Sequence, residues 1–88
     1  MTNPDQAPIA LTEAAFARLC EAHMQAEEQY LRLIALAGDN LDLPWTPVVQ
    51  ANAKAEGLAI AIAIISGSDT GEVRARTQQR CEDRRGAR

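Results

Sequence analysis

The sequence predicts an all-α fold: a two-helix antiparallel hairpin that dimerises into a four-helix arrangement. Three observations carry that prediction. Aromatic residues make up only 3% of the 88 residues (Phe16, Tyr30, Trp45), while alanine is abundant. Such a composition suits close helix packing and not a β-sandwich, where β-branched and aromatic residues dominate. Two stretches, 12–37 and 47–66, follow helical periodicity and are bounded by start and stop signals. The second stretch contains Leu58–Ile65, an unbroken apolar run that one neighbouring helix cannot cover.

Residues 1–11, with Pro4 and Pro8 among polar neighbours, are expected to form a flexible arm. Thr12 is placed to cap a first helix, with Glu13 in its first turn where a carboxylate opposes the helix dipole. Nothing breaks that helix before Gly38, which takes the C′ position. One seam of the helix runs Phe16, Cys20, His23, Glu27, Tyr30, Ile34, Ala37. A flanking seam runs Ala15, Leu19, Ala22, Ala26, Gln29, Leu33, Leu36. Together they form an apolar stripe, interrupted at its centre by His23, Glu27 and Gln29.

The loop Gly38–Trp45 carries Leu41, Leu43 and Trp45 at alternate positions. Thr46-Pro47 then opens a second helix, with threonine as cap and proline at the first helical position. Its seam is Val48, Ala51, Ala55, Leu58, Ile62, Ile65, and a second apolar stripe is Val49, Ala53, Ile60, Ile64. Gly57 sits inside at a cost of about 1 kcal/mol relative to alanine, or allows another backbone to approach. Leu58, Ile60, Ile62 and Ile64 alternating with alanines also fit a strand. No other segment could pair with that strand, so helix is preferred.

The hairpin domain therefore spans 12–66, and its dimer interface is expected at Phe16, Tyr30, Ile34, Leu58, Ile62 and Ile65. Self-association suits a chain too small to bury a large core. Residues 67–88 read as a basic tail, disordered or partly helical, with Asp69 or Thr70 as cap of any helix. Charge is divided along the chain. Residues 1–71 hold nine acids against Arg18, Arg32 and Lys54, whereas 72–88 hold six arginines and three acids.

The net charge of −3 gives no bulk attraction to nucleic acid. Leu58–Ile65 has eight residues against roughly 20 for a membrane span, and the N-terminus lacks the pattern of a signal peptide. The expected location is cytoplasmic, with no membrane contact and with Cys20 and Cys81 reduced.

Few residues suggest chemistry. Cys20, His23 and Glu27 share one helix face and are potential metal ligands, but the set is too short for a standard site. A polar layer that fixes helix register explains them better. No acid–base or nucleophile constellation is complete, so no catalytic residue, cofactor or metal is expected. Cys81, in the charged tail, is expected to be exposed to oxidation. Partner contacts are expected from Trp45 and from Arg74, Arg76, Arg80, Arg84 and Arg85. The functional expectation is a small non-enzymatic protein that pairs with itself and binds a larger protein as regulator or inhibitor, of the type bacteria and their viruses encode. Two alternatives are a helical bundle with a ligand or metal between subunits, and a nucleic-acid-associated protein using the arginine tail.

Overall fold

A computed structural model of the chain describes residues 12–39 and 44–86. They form three helices: α1 (Glu13–Asp39), α2 (Thr46–Ser66) and α3 (Thr70–Gly86). The all-α class holds, but the two-helix hairpin is replaced by a three-helix bundle in which each helix contacts the other two. The expected arm 1–11 and the loop residues Leu41 and Leu43 lie outside the described residues.

Thr12 caps α1 as its position suggests: the Ala15 amide donates to Thr12 Oγ1 at 3.1 Å. The helix runs through Gly38 to Asp39. Gly38 is not the left-handed C′ residue expected there, since Gly67 holds the only positive φ among the described residues. α2 begins one residue early. Trp45 occupies the cap position in a right-handed conformation (φ −77°, ψ −15°), and no side chain caps this end. Pro47 still falls in the first turn, where its missing N–H costs nothing.

The segment 58–65 is helical, which removes the strand reading. α2 ends at Gly67 (φ 70°), a left-handed conformation that glycine adopts without steric cost. The Ser68 amide then donates back to the Ala63 carbonyl at 2.9 Å, and Ser66 Oγ donates to the Ile62 carbonyl at 2.7 Å. α3 follows at once. Asp69 Oδ2 accepts from the Glu72 amide at 3.1 Å, and Arg84 and Arg85 occupy the last turn, where cations oppose the dipole.

The tail is therefore an ordered helix. Its apolar content is low, yet Val73, Thr77 and Cys81 recur every four residues and are the three it buries. Cys81 is 2% exposed, which overturns its expected exposure to oxidation. Burial, reinforced by the charge of Glu28, pushes its thiol up and away from the reactive thiolate.

The core gathers Ala59, Ile62, Ala63 and Val73 against Phe16, Leu19 and Cys20. Further along, Ala22 and Ala26 of α1 face Ala51 of α2 across a shallow groove. The start of α1 thus meets the end of α2, and the two run antiparallel. Alanine makes this contact close: Ala55 and Ala59 are fully buried. The α2 seam expected to face a second copy is therefore largely spent within the protomer. α3 supplies the cover for Ile62 that α1 alone does not.

The other stripe of α2 remains uncovered. Val49, Ile60 and Ile64 are 62%, 44% and 77% exposed, and Trp45 and Ile65 beside them are also exposed. Taken whole, α2 has the length and composition to cross a membrane, which the run Leu58–Ile65 alone lacks; only 33% of its most apolar window is buried in the fold.

Candidate functional site

The polar interruption in α1 is the centre of the bundle. His23 and Glu27, one turn apart, are 1% and 0% exposed. His23 Nε2 lies 2.8 Å from Glu27 Oε2, and with a carboxylate as acceptor that ring nitrogen donates. His23 Nδ1 lies 3.2 Å from Thr77 Oγ1 on α3. Which of the two donates depends on the tautomer of the ring.

Arg74 of α3 reaches into the same centre. Its Nε and Nη2 donate to Glu27 Oε2 and Oε1 at 2.9 and 3.0 Å, a bidentate pair. Its Nη1 donates to Asn52 Oδ1 of α2 at 2.8 Å, and its guanidinium stands 5.1 Å from the centroid of the Tyr30 ring. Gln78 Nε2 donates to Glu27 Oε1 at 3.1 Å. Glu27 thus accepts four hydrogen bonds, about the capacity of a carboxylate. One arginine ties all three helices together.

These contacts set the charge state of Glu27. Burial pushes its carboxyl up, but the hydrogen bonds from Arg74, Gln78 and His23, with the charge of Arg74, outweigh it and hold the pKa below the ordinary 4.5. A depressed native pKa contributes stability that is complete above the unfolded-state value and is lost as pH falls through the native one. Urea unfolding should therefore show stability dropping as pH falls below about 4.5, and the drop should be smaller in Glu27→Gln. Equal pH profiles for the two proteins would contradict this charge assignment.

The lone pairs of Glu27 are committed to its four donors. Among the described residues no three of His, Cys, Asp and Glu converge on a metal position. Among the described residues no buried side-chain nitrogen or oxygen lacks a partner. The polar layer expected on this face of α1 contacts α3 of the same chain, through His23 with Thr77 and Glu27 with Arg74.

The expected partner-binding arginines divide accordingly. Arg74 is internal. Arg76 pairs with Glu72 one turn earlier, and Arg84 Nη1 lies against Met24 Sδ. Arg76 and Arg80 line an open cleft of about 500 Å³ between α1 and α3, shared with Cys20 and Met24 and floored by Ile62. Arg80, Arg84 and Arg85 are exposed, and Trp45 is 63% exposed. Of the expected dimer residues, Ile62 is buried, Phe16, Tyr30 and Leu58 are half-buried, and Ile34 and Ile65 are exposed.

Sequence reading missed Asn52, Thr77 and Gln78. A signal existed: Val73, Thr77 and Cys81 mark a helix face, and Arg74 and Gln78 lie beside it with matching spacing. Comparison with known proteins finds no matching protein family, no matching curated protein and no matching solved structure.

Proposed function

We propose that this chain is a small non-enzymatic interaction protein that binds and modulates a larger protein, docking through the outer face of α2. The observation that carries this reading is the exposure of Val49, Ile60 and Ile64 on a helix whose only charges are Lys54 and Glu56. Contiguous exposed apolar side chains mark interaction sites on soluble proteins, and Trp45 at the head of the stripe is a residue type enriched in interface hot spots. The buried centre supports the reading from the other side. His23 and Glu27 are enclosed and committed to one another, to Arg74 and to Thr77, so their role is to hold α3 in place.

The test is quantitative affinity capture from the native cell with wild-type protein and with Val49→Glu/Ile64→Glu. Both positions are exposed, so the variant keeps its fold. At least one protein should be enriched tenfold or more by wild type over the variant. An identical captured set would count against the outer face of α2 as the docking surface.

A further inference from the structure

The cleft between α1 and α3 has the size and the floor of a small-molecule site. Its volume is about 500 Å³, within the ~300–1,000 Å³ usual for such sites. Ile62 and Val73 on its floor are buried, and Phe16 and Cys20 beside them are half-buried. All four belong to the hydrophobic core. The floor is therefore continuous with a close-packed interior, which fixes its shape. It draws apolar side chains from all three helices.

The rim is charged. Arg76 and Arg80 stand one turn apart on α3 and both line the cleft. Arg84, one turn further, lies against Met24, which also lines it. Two acids oppose these three cations. Glu72 pairs with Arg76, and Glu21 stands on the α1 side. The rim thus carries one cation in surplus. Among the described residues neither Arg80 nor Glu21 forms an ion pair, so the Arg80 guanidinium keeps its donors for another oxyanion.

This combination selects a ligand with two parts. An apolar body gains by covering Ile62, Val73 and Phe16, in proportion to the area removed from water. A carboxylate or similar oxyanion matches the planar fork of a guanidinium through two parallel hydrogen bonds. One surplus cation balances one negative charge, and Glu21 opposes a second. A polyanion such as a nucleotide is therefore disfavoured, and a neutral apolar molecule leaves Arg80 unused.

We infer that the cleft between α1 and α3 binds a small amphipathic monoanion, with its head on Arg80 and its alkyl or aromatic body over Phe16, Ile62 and Val73. The site lies within one protomer. It shares no residue with the outer face of α2, so it stands or falls apart from the docking proposal.

The test is isothermal titration calorimetry of the full chain with decanoate below its micellar concentration. One decanoate should bind per chain, and acetate, which has the head alone, should bind far more weakly. Arg80→Gln, at an exposed position, should weaken decanoate about tenfold, the worth of a charge-assisted hydrogen bond, and leave decanol unchanged. Glu21→Gln should tighten decanoate. Ala17→Trp, which puts a large side chain into the cleft from an exposed position, should abolish binding of decanoate and decanol alike. Decanoate should also slow alkylation of Cys20 by iodoacetamide, located by mass spectrometry, because Cys20 lines the cleft. Circular dichroism confirms that each variant keeps its helicity. The inference would be overturned by no binding of decanoate, by equal binding to wild type and Arg80→Gln, or by binding that survives Ala17→Trp. Loss of binding in Ile64→Glu would overturn it too, since that places the apolar body on the outer face of α2. Acetate binding as tightly as decanoate would reduce the site to an exposed arginine and would also defeat it.

Discussion

Replacing Arg74 with methionine is expected to cost about 3 kcal/mol of folding stability, more than the loss of any exposed contact. Methionine keeps much of the apolar stem and removes the guanidinium, so the change isolates the charge. It leaves Glu27, fully buried, with its bidentate partner gone. Breaking a buried pair on one side costs about 3–5 kcal/mol, because the remaining charge has neither water nor partner. Arg74 is itself 16% exposed, which places the expectation at the lower end. The same change frees Asn52 Oδ1 and removes the cation beside Tyr30.

The effect should be conditional. Removing both partners, as in Arg74→Met with Glu27→Leu, takes away the stranded charge along with the pair, so the double variant should lose clearly less than the two single losses combined. Urea unfolding followed by circular dichroism supplies the four stabilities of that cycle. Amide hydrogen exchange supplies the location: loss of protection should start in α3, which is held by this centre and by only three buried side chains. A loss under about 1 kcal/mol for Arg74→Met would mean that the pair is solvated and that α3 is held some other way.

The case of α3 shows where sequence reading reached its limit. The stripe on α1, the proline start of α2 and its apolar character were legible because helical periodicity and capping chemistry are local. The docking of α3 was not, because its low apolar content gives hydrophobic patterning little to work on. What holds it is a specific charge partner 47 residues away. Sequence patterning presents His23 and Glu27 as a gap in an apolar stripe and Arg74 as part of a basic tail. Each explains the other: a buried carboxylate needs a cation, and cations outnumber acids in 72–88 and not in 1–71. Without α3 the seam through Ile62 lacks a neighbour, so periodicity alone leaves that stripe of α2 uncovered, whereas the exposed stripe is the one through Ile64.

The burial of Ile62 within the protomer sets what Ile62→Asp is expected to do. Were Ile62 on an outer face, an aspartate there would separate two folded copies. In the structure Ile62 is 7% exposed and packs with Ala59, Ala63 and Val73 against Phe16, Leu19 and Cys20. Truncating such a side chain to alanine costs about 2–5 kcal/mol. Aspartate adds a carboxylate in a cluster that contains no cation, so its desolvation comes on top. The total approaches or exceeds the whole stability of a chain this size, about 4–13 kcal/mol at the usual increment per residue. Ile62→Asp should therefore abolish most far-ultraviolet helical signal at 25 °C and leave no folded monomer to observe. Ile64→Asp, two residues on and 77% exposed, should keep that signal and its melting temperature at concentrations where wild type is also monomeric. A folded Ile62→Asp protein would show that Val73 and α3 do not close over this position, and that the core lies elsewhere along α2.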